Sequence, residues 1–91
     1  MKLIISKNAV EEITESQDYY NRQQNNLGNN FKSDVQKSID MIYKHAKLYP
    51  LITPKIRRSL LHRFPFSIFY SIVGDVILIL SVAHQHRKPK Y

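Results

Sequence analysis

A predicted hairpin near the C-terminus constrains the fold of this chain more than any other feature. The β-rich runs FSIFYSIV (66–73) and VILILSVAH (76–84) are separated only by Gly74-Asp75. A two-residue Gly-Asp link between such runs is typical of a tight antiparallel hairpin, with Gly at the first position of a type II′ turn. Both faces of the two strands are apolar, so we expect each face to need a cover.

Two amphipathic helices are predicted before the hairpin. Asn8 is the expected N-cap of the first helix, which runs to about residue 26, and Glu11 is at its third position, as in a capping box. Glu11 and Glu12 then fall in the first turn, where the helix dipole favours negative charge. The Asn- and Gly-rich segment 25–30 separates the helices and implies an antiparallel pair. The second helix has an apolar stripe formed by Phe31, Val35, Ile39, Ile42 and Ala46.

Strands are predicted on either side of the helix pair. KLIIS (2–6) precedes the helices, and a third strand pattern starts at Lys55, after Pro50 and Pro54 have ended helical structure. The element order is then βααβββ within a single domain, residues 1–91. We expect an α+β fold, an antiparallel four-stranded sheet with the N-terminal two-helix hairpin packed on one face.

The second face of this sheet has no predicted helix to cover it. Two arrangements remain open. Residues 48–54 fold across the face, or a segment of a partner protein covers it, as large exposed apolar patches commonly mark interaction sites.

The charge of the chain is concentrated in its C-terminal part. Of the net charge of +7, residues 55–91 contribute seven Lys/Arg against Asp75 alone. Such an excess favours a polyanionic partner, although many small proteins are basic for solubility alone. The chain has no cysteine, which rules out disulfides and fits a reducing cytosol, and no apolar run approaches the roughly 20 residues of a membrane helix.

The stretch IRRSLLHRFPFSIFYSIVGDVILILSVAHQHRKP (56–89) resembles the C-terminal half of the RelE/ParE superfamily of bacterial type II toxin–antitoxin toxins. AVEEITESQDYY (9–20) is similar to the first helix of that family. The resembling features are an Arg-bearing strand, the Phe64-Pro65-Phe66 step, a strand through Tyr70, and a hydrophobic strand that ends in His84-x-x-Arg87-x-Pro89.

The resemblance implies a cytoplasmic toxin of the plasmid stabilisation type, without cofactor or metal. A cognate antitoxin would hold it inactive by wrapping it with an acidic, extended C-terminal segment. Such a segment would cover the open sheet face and neutralise the basic end. The residues expected to bind the antitoxin are Phe66, Phe69, Ile77 and Ile79.

The RelE branch of the superfamily cleaves mRNA in the ribosomal A site. On that interpretation the catalytic residues would be Arg63, His84, His86, Arg87 and Tyr91. These are suitable proton donors, proton acceptors and cations for attack by a 2′-hydroxyl. However, Ser67 and Gln85 stand where that branch has arginines, and no acidic residue lies between Asp40 and Asp75 to match the glutamate of a further subgroup.

Members of the ParE branch inhibit DNA gyrase without being nucleases. This branch resembles the chain more than the RelE branch does, in the Phe-Pro-aromatic step and in the His-x-x-Arg-x-Pro motif after the last strand. We therefore favour a non-enzymatic gyrase inhibitor and keep the mRNA endonuclease as the alternative. A nucleic-acid-binding module without toxicity is a third hypothesis. On the favoured interpretation cations bind the target, and the predicted residues are Arg57, Arg58, Arg63, His84, His86, Arg87, Lys88 and Lys90.

Overall fold

Two helices and four strands follow one another in the predicted order. The computed structural model describes residues 1–89 and 91. The elements are β1 (Lys2–Ile5), α1 (Lys7–Gln23), α2 (Leu27–Lys44), β2 (Arg57–Leu60), β3 (Phe66–Val73) and β4 (Val76–His84). The order βααβββ is therefore confirmed. Neither helix in this described part is long and apolar enough to cross a membrane.

The four strands form one sheet in the order β1-β4-β3-β2. β2 and β3 are antiparallel, as are β3 and β4, but β1 lies parallel to β4. The expectation of a purely antiparallel sheet is therefore wrong. The parallel pairing brings Ile5 beside Ile79, so that α1 starts next to the second half of β4. An antiparallel β1 would have delivered the chain to the opposite end of β4, away from the place where α1 packs.

The first helix begins at Ser6 rather than at the predicted Asn8. Ser6 Oγ accepts a hydrogen bond from the backbone N–H of Ala9 at 3.1 Å, which is the usual geometry of an N-cap. Asn8 lies in the first turn, where its side-chain amide donates to the carbonyl of Leu80 at 3.1 Å. Glu11 and Glu12 lie beyond the first turn, which contains no acidic residue.

Both tight connections contain a residue in the left-handed region. Gly74 has φ 59° and joins β3 to β4 beneath the Val73–Val76 pair, so the predicted hairpin is confirmed. Asn26 has φ 67° and lies between the helices. Glycine adopts this conformation without a steric cost, and asparagine tolerates it better than most residues.

A bulge interrupts the pairing of β3 with β4. Tyr70 pairs with Ile79 and Phe69 with Ser81, which leaves Leu80 without a partner on β3. The carbonyl of Leu80 instead accepts hydrogen bonds from Ser6 Oγ and the Asn8 amide, both at 3.1 Å. One extra residue in a strand reverses the alternation of side chains beyond it.

The core lies between the helices and one face of the sheet. Helix α2 buries its predicted stripe, with Phe31 and Ile42 fully inaccessible. From the sheet, Ile68, Tyr70, Ile77, Ile79 and Val82 join this cluster. At one end an aromatic group is packed with ring centroids 4.7–6.1 Å apart, and it consists of Tyr20, Phe31, Phe64 and Phe66.

Two side chains attach the segment after α2 to the sheet. The buried Tyr70 hydroxyl donates to the carbonyl of Ala46 at 2.5 Å. Arg57 Nη1 donates to the carbonyls of Lys47 (3.1 Å) and Tyr49 (2.7 Å). Burial raises the pKa of Tyr70 to about 12, and the positive charge of Arg57 opposes this rise.

The two helices are in close contact at Gly28. A methyl group at this position would lie 2.0 Å from the carbonyl oxygen of Gln17 and 2.6 Å from the Asn21 side chain. The Gly28 N–H also donates to Asn21 Oδ1 at 2.7 Å. Only glycine fits this crossing without moving the helices apart.

We expect Gly28→Ala to destabilise the fold by roughly 1–3 kcal/mol, the usual cost of overpacking a close contact. Urea unfolding followed by circular dichroism measures the change. Asn30→Ala is the matched control, because Asn30 is exposed in the same turn of α2. Equal unfolding midpoints for Gly28→Ala and Asn30→Ala would contradict the close approach described here.

Tyr70 should make the stability of the fold sensitive to alkaline pH. Because folding raises the pKa of Tyr70, its contribution is complete below about pH 10 and is lost as the pH rises toward about 12. Tyr70→Phe should cost roughly 0.5–1.5 kcal/mol at neutral pH, through loss of the bond to Ala46, and should lose stability less steeply above pH 10. Urea unfolding across this range is the measurement. Tyr43→Phe is the control, because Tyr43 is exposed. Its free energy of unfolding should depend on alkaline pH as that of the parent chain does.

Candidate functional site

Three segments meet at one end of the sheet. The end of β2, the start of β3 and the end of β4 are adjacent, because Leu60 pairs with Ser67 and Ser67 with Ala83. The loop 61–65 and the tail after β4 therefore lie side by side, joined by a hydrogen bond from the Gln85 N–H to the Pro65 carbonyl at 2.8 Å. Most of the predicted target-binding cations lie in or next to these segments.

A groove of about 480 Å³ lies at this end, on the sheet face that points away from the helices. We call it the open-face groove. Its walls are strands β2, β3 and β4 and the tail after β4. It is lined by Ile52, Arg58, Leu60, Ser67, Phe69, His84, Gln85, Arg87, Pro89 and Tyr91.

The tail covers part of the open face. A turn with a hydrogen bond from the Arg87 N–H to the His84 carbonyl (2.9 Å) redirects the chain after β4. The ring of Tyr91 then lies 5.1 Å from the ring of Phe69, at an interplanar angle of 38°. Phe69 is 7% exposed, whereas Tyr91 is 50% exposed. The groove therefore has an aromatic residue at its floor and a second one that remains half open to solvent.

The charge of the groove is entirely positive among its lining side chains. Arg58 and Arg87 line it, and no aspartate or glutamate does. In the part of the chain that the structure describes, neither arginine forms an ion pair. The ion pair seen there joins the N-terminal amine to Asp75 at 3.9 Å. Two guanidinium groups are thus available to an anionic ligand.

The two histidines at the groove are engaged with each other. Their rings lie 5.3 Å apart, and the His84 ring is also 5.3 Å from Phe66. His84 Nδ1 accepts a hydrogen bond from the backbone N–H of His86 at 3.2 Å. This bond requires Nδ1 to be unprotonated, so the proton of neutral His84 lies on Nε2. In this arrangement the proton-accepting nitrogen of His84 is already engaged in a hydrogen bond.

Each helix contributes one carboxylate that positions a segment of the site. Glu12 of α1 accepts from the Ser81 hydroxyl (2.9 Å) and the Val82 N–H (3.0 Å), beyond the point where the pairing of β1 with β4 ends. Asp34 of α2, only 4% exposed, accepts from the backbone N–H of Arg63 at 3.1 Å. Sequence reasoning missed both residues. The sequence contained one signal for the burial of Asp34, because this residue directly precedes Val35 of the buried stripe on α2.

Of the remaining predicted target-binding residues, those that the structure describes do not line the groove. Arg57 is on the helix side of β2, where its guanidinium is bonded to the carbonyls of Lys47 and Tyr49. Arg63 is exposed in the loop 61–65, and Lys88 is exposed in the tail, but neither lines the groove. Lys90 lies outside the described residues. Target binding by these cations stays a prediction.

The four residues expected to bind an antitoxin do not share a surface. Phe66, Ile77 and Ile79 belong to the core and are at most 6% exposed, so that a partner has no access to them. Phe69 is on the other face, because residues three apart in a strand point to opposite sides. The accessible apolar side chains of the open face are instead Ile4, Leu60, Val73 and Leu78.

The segment 48–54 leaves most of the open face uncovered. It runs along the outer edge of β2, with a bridge between Leu51 and Arg57 and a hydrogen bond from the Arg58 N–H to the Pro50 carbonyl at 3.0 Å. Ile52 reaches the margin of the groove. Residues 48–54 were one of the two covers considered for the open face from the sequence. They lie along the edge of the sheet and do not cover that face.

Comparison with known proteins identifies the family. No protein with a curated description matches the sequence. The structure of the chromosomal ParDE TA system from P. aeruginosa is similar in fold, with a TM-score of 0.71 and 21% sequence identity over 92% of this chain and 95% of that chain. The family model described as the ParE toxin of type II toxin-antitoxin system, parDE, matches residues 3–89. This chain belongs to the ParE toxin family of type II toxin–antitoxin systems.

Proposed function

We propose that this chain is the toxin of a type II toxin–antitoxin pair, inhibits DNA gyrase in the cytoplasm, and is neutralised by a cognate antitoxin. Membership of the ParE toxin family supports the toxin role. The gyrase target follows from the ParE branch of the superfamily that the sequence resembles. The proposed activity is binding, without a chemical reaction on the target.

The composition of the open-face groove carries the preference for binding over catalysis. Cleavage of RNA by its 2′-hydroxyl requires a base within hydrogen-bond reach of that hydroxyl. The lining side chains include no carboxylate, and Nδ1 of His84 is already bonded to the His86 N–H. Arg58 and Arg87 are present without ion-pair partners among the described residues, which suits contact with an anionic surface.

The apolar side chains of the open face support an antitoxin that covers this side of the sheet. Ile4, Leu60 and Val73 are 50%, 56% and 61% exposed, and they lie on strands whose other face is already buried. An extended acidic segment with aliphatic side chains would cover them and lie beside the groove that Arg58 and Arg87 line. The similar fold in a ParDE TA system is consistent with such a partner.

The double variant Arg58→Ala/Arg87→Ala should inhibit gyrase less than the parent chain. The measurement is supercoiling of relaxed plasmid by purified gyrase, titrated with purified toxin. We expect the half-inhibitory concentration to rise at least about tenfold, which corresponds to about 1.4 kcal/mol of binding. Added salt should weaken inhibition by the parent chain more than by the variant, because salt screens exposed charges.

Arg22→Ala is the matched control, since Arg22 is an exposed arginine of α1 on the opposite side of the sheet. It should inhibit supercoiling like the parent chain. The same preparations are added to ribosomes programmed with mRNA. Cleavage of that mRNA, lost on His84→Ala or Arg87→Ala, would contradict the proposal in favour of a RelE-like endonuclease.

A further inference from the structure

We propose that the open-face groove binds a single-stranded polynucleotide, with its phosphates at Arg58 and Arg87 and a base stacked on Tyr91. The inference rests on the proposed function in one respect. If the chain inhibits gyrase, a nucleic-acid site would let it contact the DNA strands as well as the gyrase protein. The groove itself is defined independently of any target. Its aromatic floor was not among the features that the sequence indicated.

The groove combines aromatic residues with cations. Phe69 and Tyr91 form a ring pair with centroids 5.1 Å apart. Arg58 and Arg87 line the same groove. Single-stranded nucleic acids are bound by this combination, in which cations follow the backbone and rings stack on the bases.

Tyr91 is suited to stacking because Phe69 supports it from below. The Tyr91 side chain remains 50% exposed, while Phe69 beneath it is nearly inaccessible. A base placed on the open side of the Tyr91 ring would extend the existing pair.

The size of the groove selects a single strand over a duplex. Its volume of about 480 Å³ falls within the range of roughly 300–1,000 Å³ that is typical of small-ligand sites. One or two nucleotides are ligands of that size, whereas a double helix presents its phosphates on a much broader surface.

An acidic peptide is the competing occupant, and the aromatic residues argue against it at this position. Carboxylates would satisfy the two arginines but would leave the exposed Tyr91 ring without a specific partner. A nucleotide satisfies both the arginines and the ring. Of the apolar side chains that suit a peptide, Leu60 lines the groove, whereas Val73 and Leu78 lie toward the opposite end of the sheet.

The test is fluorescence anisotropy with a labelled single-stranded oligothymidylate of about ten nucleotides, within the site sizes known for such proteins. We expect Arg58→Ala and Arg87→Ala each to weaken binding several-fold. Each should also lower the slope of log affinity against log salt by about 0.7, the value for one phosphate contact to a single strand. Tyr91→Ala should weaken binding at least about fivefold, whereas Tyr91→Phe should retain it.

Arg22→Ala and Tyr43→Ala are the matched controls, because both residues are exposed on the helix layer. Both should bind the oligonucleotide like the parent chain. Circular dichroism and urea unfolding of each variant verify that it is folded. An oligouridylate of equal length distinguishes RNA from DNA as the preferred backbone, and binding of either one supports the proposal.

Five outcomes would overturn it, and the first four concern the parent chain and the controls. They are absence of binding, equal loss of binding in the controls, equal affinity for a duplex, and displacement of the oligonucleotide by a polyglutamate peptide at the same charge concentration. Stronger binding by Tyr91→Ala would also overturn it, since Tyr91 would then only obstruct the groove. Gyrase inhibition without oligonucleotide binding would reject this inference alone, and oligonucleotide binding without gyrase inhibition would reject the proposed function alone.

Discussion

The parallel pairing of β1 with β4 is the constraint on which the arrangement of the site depends. It places the end of β1 at Ile79, halfway along β4, so that the chain turns into α1 at Ser6. From there the side chains of α1 take over the role of a neighbouring strand. Ser6, Asn8 and Glu12 satisfy the backbone groups of β4 that β1 no longer reaches. The end of β4, where the groove begins, is therefore held by a helix.

The helices hold the end of the sheet that carries the groove, but no helix residue lines the groove. Glu12 and Asp34 bind backbone N–H groups of β4 and of the loop 61–65, while Arg58 and Arg87 form no ion pair with any residue that the structure describes. A carboxylate that binds a backbone amide positions a segment through charge-assisted hydrogen bonds, with no need to pair with its cations. The contacts that position these segments thus come from the helix side of the sheet, whereas the groove lies on the other face.

Local patterns in the sequence were sufficient to predict the elements. The hairpin at Gly74-Asp75, the stripe on α2 and the order of the strands are all consequences of short-range chemistry. The direction of β1 was not predictable in this way, because alternation of side chains is the same in parallel and antiparallel strands. The helix cap was misplaced for a related reason. Ser6 and Asn8 are both good caps, and only the end of β1 at Ile5 decides between them.

The candidate site was predicted less completely, because its members come from distant parts of the chain. The sequence indicated the cations of β2 and the tail, but not that Arg57 would be used to hold the segment after α2. Period two relates Arg57 to Ser59, yet it does not say which face is buried. The contact of Tyr91 with Phe69 joins residues 22 positions apart through a turn after β4, which no local pattern encodes.

The bulge at Leu80 has a consequence for how this protein tolerates length changes. Before the bulge, the odd-numbered residues Ile77 and Ile79 point to the helices. After the bulge, the even-numbered Val82 does so, because Leu80 is an additional residue in the strand. Loss of Leu80 would restore a regular strand and keep Val82 in the core, because Ser81 and Val82 already pair with Phe69 and Ile68. It would remove the carbonyl that accepts hydrogen bonds from Ser6 Oγ and the Asn8 amide. A deletion at the bulge would therefore preserve the pairing of β3 with β4 and weaken the attachment of α1 to β4.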